Sequence, residues 1–370
     1  MTVRNHIEEI LAESERRGDW MASYRSTDVY LRSLAMPCFI YGASNGGRHI
    51  LTRLNDLGIP VAGFVDSSSN KWGMQFCGLL VSDPSSLKCE DVVVIGSMYE
   101  VEIAQYLNSR GVLNIIPYDD FIASIIMIDR DYVVKCASQY ESLEALLSDA
   151  ASTECLRWLI EYGLTRRLNN TYVSSYHQYA HPLVQACPGD IVVDGGAYTG
   201  DSAASVFALT SGNCTIHAFE PFNESYASLV AMANDPRFYN RLIPHRAALG
   251  HTDGTGFLHV DSLHPQQSVI TTQPGGIEIQ VTTIDKHFGD GPIYPDLIKL
   301  DVEGFEVDAL LGAQKTIISC APKLQIAIYH MPDHLWSIPL MLHEWVPSYQ
   351  FYIGHHHCAY VDTVLYAVSQ

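Results

Sequence analysis

Basic residues are scarce in this chain. Lysine and arginine number 22 against 41 acidic residues, a formal charge of −19 over 370 residues. A nucleic-acid partner needs a basic face to meet phosphates, so no nucleic-acid partner is expected. The same deficit argues against docking on an anionic membrane surface. Paired cysteines are also missing. The nine cysteines are scattered, and none stands in a Cys-x-x-Cys pair. This points away from a disulfide framework or a zinc site and toward small buried thiols in a reducing compartment, so a cytoplasmic protein is expected. Long apolar runs are absent as well. The longest, Phe121-Ile-Ala-Ser-Ile-Ile-Met-Ile128, is far too short to span a bilayer. The opening residues, Met1-Thr-Val-Arg-Asn-His-Ile-Glu-Glu, lack the apolar core of a signal peptide.

What the chain does have is core-forming material, with 47% hydrophobic residues, and a length that suits two domains. Polar and apolar residues alternate at helical spacing over 4–35, so residues 1–35 read as an N-terminal helical segment. Residues 36–125 alternate all-apolar strands with helices, the pattern of a parallel sheet covered on both faces. Residues 126–180 contain no strand pattern and read as a helical linker or cover. Residues 181–370 form a second doubly wound α/β domain, drawn as a seven-stranded sheet with an antiparallel last strand. A polar, glycine-rich, hairpin-like segment at 255–283 is inserted before its fourth strand.

The densest signal is Asp190-Ile-Val-Val-Asp-Gly-Gly-Ala-Tyr-Thr-Gly-Asp201, followed by Ile216-His-Ala-Phe-Glu-Pro221. A strand, a glycine turn, a helix, and a second strand ending in an acid make a nucleoside-binding half-sheet. Glycine lets the backbone approach a ligand without an intervening Cβ. Glu220 is placed to accept hydrogen bonds from both hydroxyls of a ribose. The first domain repeats this logic more weakly, with Gly42-Ala-Ser-Asn-Gly-Gly47 and Asp66. Its rival reading is a degenerate module that dimerises or recognises a carrier, which makes a homodimer one expected assembly.

Taken together, these segments resemble the FkbM family of S-adenosylmethionine-dependent methyltransferases. The matching pieces are Val193-Asp-Gly-Gly-Ala-Tyr-Thr-Gly-Asp201, Ala218-Phe-Glu-Pro221, Ala247-Ala-Leu249 and Val281-Thr-Thr-Ile-Asp285. Two more are Leu297-Ile-Lys-Leu-Asp-Val-Glu-Gly-Phe-Glu306 and Tyr329-His-Met-Pro-Asp-His-Leu-Trp336. The likeness covers about 175–370, and the first domain looks like the Rossmann-type module that precedes the methyltransferase in some members. It implies a class I methyltransferase fold using S-adenosyl-L-methionine. The cofactor would contact Asp194, Gly195, Gly196, Ala197, Tyr198, Thr199, Gly200, Asp201, Glu220, Pro221 and Ala248. Asp194 would reach the ammonium of its amino-acid tail, and the expected reaction is O-methylation of a small-molecule, sugar, glycan or natural-product acceptor.

A hydroxyl is a poor nucleophile until a base or a metal acts on it. Asp301, Glu303 and His330 sit where strands four and five end, the rim on which ligands bind in open α/β sheets. They are the expected catalytic residues. Asp301 and His330 would form a base pair or two ligands of a divalent metal such as magnesium; alternatively, Asp301 is a helix N-cap and His330 a core histidine. Lys299 reads as exposed or salt-bridged. His177, Tyr179 and His181 read as a lid or as structural residues. His355-His-His357 reads as a loop at the substrate mouth, because consecutive residues face different ways. Two rival functions remain at this point. One is a nicotinamide- or nucleotide-sugar-dependent enzyme working through the first domain, against which no Tyr-x-x-x-Lys pair is suitably placed after Gly96. The other is a binding protein that keeps the fold without the chemistry.

Overall fold

The computed structural model describes residues 2–17, 27–33, 36–97, 99–117, 130–165, 172–259, 269–271, 275–288, 293–357 and 361–369. The apolar run 121–128 and Cys358 lie outside the described residues. Two compact units divide the chain: Met1–Glu141, Glu154–Val173 and His357–Val361 form the first, and Ser142–Thr153, Ser174–His356 and Asp362–Gln370 the second.

In the first unit, the helical pattern at the N-terminus resolves into helices Val3–Arg17 and Thr27–Ser33. The strands are β1 (Cys38–Tyr41), β2 (Val61–Val65), β3 (Gln75–Phe76), β4 (Leu79–Ser82), β5 (Val92–Ile95) and β6 (Asn114–Ile116). They line up in the order β3-β4-β2-β1-β5-β6, parallel except for the β3–β4 pair. All four side chains of β5, Val92-Val-Val-Ile95, are buried, as expected of a strand covered on both faces. The strand order reverses between β1 and β5, which opens a crevice at their carboxyl ends.

In the second unit, β7 (Ile191–Gly195), β8 (Thr215–Phe219), β9 (Leu242–His245), β10 (Ala248–Leu249), β11 (Gly254–His259), β12 (Val269–Thr271) and β13 (Ile277–Thr282) come first. Then follow β14 (Leu297–Leu300), β15 (Lys323–Ala327), β16 (Tyr349–His355) and β17 (Thr363–Ser369). The main sheet runs β16-β17-β15-β14-β7-β8-β9. β17 slots between β15 and β16 and pairs antiparallel with both. The expected α/β class and seven-stranded sheet with an antiparallel last strand are therefore borne out. The segment at 255–283 contributes not to this sheet but to a separate four-stranded one, β10-β13-β11-β12. Among the described residues, no helix is long and apolar enough to cross a membrane.

The turning point of the main sheet lies between β7 and β14, which pair parallel with Lys299 opposite Asp194. Both strands are buried, so an ammonium and a carboxylate are forced to meet inside the sheet.

Candidate active site

Lys299 and Asp194 meet at 3.0 Å with both side chains almost fully enclosed. A buried charge is costly without a partner, and this pairing answers the cost on both sides. Lys299 Nζ also donates to the carbonyls of Gly195 and Gly196, at 3.2 and 3.0 Å. The second oxygen of Asp194 accepts from Ser202 Oγ at 2.7 Å. Burial would disfavour the ammonium, but Asp194, Asp301 and Asp201 raise the Lys299 pKa instead. Asp194, expected to reach the cofactor's ammonium, is thus occupied by Lys299, and it does not line the cavity described below. Through Lys299 it is linked to the carbonyls of the glycine turn, and through Ser202 to the helix that follows.

The glycines of that turn are also required by the protein itself. A Cβ on Gly196, whose φ is +72°, would overlap the carbonyl oxygen of Asp301. On Gly195 it would come within 2.8 Å of Leu300 and Leu249, and on Gly200 within 2.7 Å of Met232 Sδ. At these three positions the turn can therefore lie against β14, Leu249 and the helix Asn223–Ala233 only as glycine.

Glu220, one residue past β8, is 7% exposed. Its two oxygens accept from the amides of Tyr198 at 3.0 Å and Phe222 at 2.8 Å. Burial raises its pKa against the pull of those amides and Lys299. The carboxylate faces a cavity of about 230 Å³ at the carboxyl ends of β7, β8 and β14. Gly196, Tyr198, Asp201, Ser202, Phe219, Pro221, Phe222, Ser225, Ala248 and Leu249 line it with Glu220, and Gln178, Tyr179, Lys299, Asp301, Val302 and Glu303 complete the wall. Gly196, Tyr198, Asp201, Glu220, Pro221 and Ala248 of the expected cofactor residues are thus brought together. Asp194, Gly195, Ala197, Thr199 and Gly200 are not among the lining residues.

Two of the cavity's lining residues, Asp301 and Glu303, belong to a network around His330. β15 ends at Ala327, so His330 sits in the turn beyond the strand. Its Nδ1 is 2.8 Å from Glu306, and its Nε2 is 3.4 Å from Glu303 and 3.5 Å from Asp301. Burial alone would favour neutral imidazole. Glu306, then Asp301 and Glu303, outweigh it and push the pKa to about 10. The three carboxylates therefore favour the imidazolium form of His330. Glu306 is fully buried and also meets His334 Nδ1 at 3.2 Å. Burial would raise Glu306, yet the two histidines hold it well below the usual carboxylate range.

Glu303 adopts φ +53°, a strained value for a non-glycine residue, with Gly304 at +97° behind it. Burial raises its pKa, His330 lowers it, and Asp301 and Glu306 raise it again, leaving it at about 7. Asp301 is no helix cap, since the next helix runs Glu306–Leu311 with Phe305 at its N-cap. Its carboxylate instead accepts from Tyr179 Oη at 2.8 Å and Tyr329 Oη at 3.4 Å. Tyr179 is itself pinned by Gln325 Nε2, which donates to its carbonyl at 2.9 Å, and its ring lies 5.4 Å from Lys299 Nζ.

Of the other histidines, His181 stacks on Tyr366 at 5.0 Å and is packing. His355 Nδ1 meets Thr363 Oγ1, and His356 Nε2 meets Tyr366 Oη, both at 2.8 Å. These bonds point away from a shared ion. Sequence reasoning missed Glu306 as a site residue and Lys299 as the partner of Asp194.

Residues 194–359 match the family model described as the methyltransferase FkbM domain. This domain belongs to the FkbM methyltransferase family. The chain is also similar to the crystal structure of methyltransferase FkbM from Methylobacillus flagellatus KT, at 21% identity and a TM-score of 0.75, covering 98% of this chain and 99% of that one. At that identity the likeness is one of fold. A putative rRNA-methylase from Clostridium thermocellum is similar at 12% identity over 50% of this chain and 88% of that chain, with a TM-score of 0.33 too low to bear weight. No curated protein matches the sequence. The FkbM domain contains every residue of the cavity except Gln178 and Tyr179, which precede it.

Proposed function

We propose that the FkbM domain transfers a methyl group from S-adenosylmethionine to a hydroxyl oxygen of a sugar, glycan or natural-product acceptor. The observation that carries this reading is the pairing of two carboxylates on one cavity. Glu220 is open to a ribose diol that would donate to it, and Glu303, whose pKa burial raises to about 7, lines the same cavity. The residues fit the cofactor. Glu220 has lone pairs left for the diol, Phe222, Pro221 and Leu249 offer an apolar surface to a flat base, and Asp201 is an exposed carboxylate for an ammonium. When bound, the cofactor supplies a methyl group activated by a positively charged sulfur.

In this reading, Glu303 is the general base. Its carboxylate takes the proton of the acceptor hydroxyl as the oxygen becomes nucleophilic, since a base with a pKa near the working pH is the most effective. His330, as imidazolium, positions Glu303 and balances the charge of Asp301 and Glu306. Tyr179, held neutral by burial and by Asp301, anchors Asp301 on the rim.

A second reading is favoured by one observation. Among the described residues, ligand atoms of Asp301, Glu306 and His330 lie within 4.8 Å of one another. A divalent cation such as magnesium held there would displace the proton from His330 and lower the acceptor's pKa directly.

Incubation with carbon-13 methyl-labelled S-adenosylmethionine and a panel of sugars and polyhydroxylated natural products tests both. The account expects a labelled product in the methoxy chemical-shift range, formed equally well in the presence of EDTA. Label on nitrogen or carbon would overturn O-methylation. Loss in EDTA with recovery on added magnesium would replace the acid–base reading by the metal one.

A further inference from the structure

The first unit carries a second cavity, of about 680 Å³, in the crevice where its strand order reverses. The glycine turn after β1 invites a nucleotide, but its acid, unlike Glu220, is drawn into a direct ion pair with a lysine. Asp66, which would hold the ribose, is already engaged: it accepts from the amides of Ala43 and Ser68, both at 2.9 Å, and from Lys71 Nζ at 2.7 Å. Burial would raise its pKa, but Lys71 and those amides lower it. The glycines are engaged too. A Cβ on Gly47 would overlap the carbonyl of Gly42, and one on Gly96 would come within 2.7 Å of Gly47 Cα. The lining holds three carboxylates, Asp66, Asp83 and Glu102, against one ammonium, Lys71. That balance repels phosphate.

What the cavity offers instead is aromatic surface with mixed donors and acceptors. Trp72, Tyr99 and Tyr106 line it and are 39%, 71% and 38% exposed. Tyr41 lies at its base, 5% exposed. Burial, then the charge of its neighbours Tyr106, Asp66 and Asp83, pushes the phenol to about 12, so it remains a donor. A buried phenol in such a place calls for an acceptor from the ligand or from water. Serine hydroxyls at 67, 68 and 97 add groups that both donate and accept, while that of Ser44 is spent capping the helix after β1. A simple cation would be met by Lys71 and the Tyr41 proton, both unfavourable. A ligand bearing many hydroxyls and apolar C–H faces satisfies donors, acceptors and rings together.

We infer that this cavity binds a neutral, phosphate-free saccharide. The inference concerns the first unit alone and stands whether or not the FkbM domain methylates a sugar.

Ligand-observed saturation-transfer NMR on the full chain tests it. The probes are glucose, galactose, mannose, rhamnose and N-acetylglucosamine, with ADP, UDP and tetramethylammonium alongside. The expected result is binding of at least one sugar, weakened about tenfold or more by Glu102→Gln or Tyr99→Ala, the scale of losing one charge-assisted hydrogen bond or one ring platform. Both positions are on the surface, and a cooperative thermal melt matching the wild type's confirms that the variants are folded. Four results overturn the inference: no sugar binds; a sugar binds but neither variant weakens it; ADP or UDP binds in its place, sensitive to the same variants; or tetramethylammonium does so.

Discussion

Replacing Glu303 with glutamine is expected to slow methyl transfer by about 10²–10⁴-fold, the usual contribution of a general base. S-adenosylhomocysteine binding should persist, because the ribose contact is assigned to Glu220 and Glu303 is assigned only to the acceptor's proton. The wild-type rate should rise with pH through about 7, as the carboxyl whose pKa burial has raised loses its proton. That limb should vanish in Glu303→Gln. Carboxyl carbon-13 NMR of the free protein gives an independent reading, since Glu303 should titrate near neutrality, well above ordinary glutamates. A Gln variant with wild-type rate and pH profile would remove Glu303 from the base role.

Glu306→Ala should be the most destabilising change at the site, by about 3–5 kcal/mol, the cost of stranding a buried charge. It removes the partner of both His330 and His334 from the interior. The pH dependence follows from the two shifts. His330 is raised from 6.5 to about 10, so its stabilisation is complete below 6.5 and is lost as pH rises through about 10. Glu306 is lowered, so its contribution is present above the ordinary carboxylate pKa and is lost only as pH falls through its depressed value. Wild-type stability should therefore decline from neutral toward alkaline pH, and the decline should be shallower in Glu306→Ala. Denaturant melts at neutral and alkaline pH measure this. Parallel alkaline declines in the two proteins would mean that Glu306 does not set the charge of His330.

The parts of the site legible in the sequence were those written in consecutive residues. The apolar run 191–193, the glycine turn and the acid closing the next strand specify β7, its helix and Glu220 in local order, and the structure places them so. What was hidden depends on register or on a reversed turn. Lys299 and Asp194 are far apart in the chain, and only the parallel pairing of β14 with β7 puts them opposite each other. Glu306 lies beyond the strand end that drew attention to Asp301 and Glu303. The positive φ values at Glu303 and Gly304 turn the chain so that Glu306 comes beneath His330. The glycines were visible as a pattern, but their reason was not. A sequence shows that a Cβ is absent, whereas the structure shows that Asp301, Leu300 and Met232 occupy the space it would need. The setting of His330 was hidden for a similar reason: three carboxylates surround it, one of which the strand pattern did not reveal.

The account rests above all on Glu220 holding the cofactor, and calorimetric titration of the full chain with S-adenosylhomocysteine, wild type beside Glu220→Ala, tests it most directly. The account predicts micromolar binding to the wild type and its loss in the variant, with both proteins melting cooperatively. A wild type that binds none, or a variant that binds as tightly as the wild type, would contradict it.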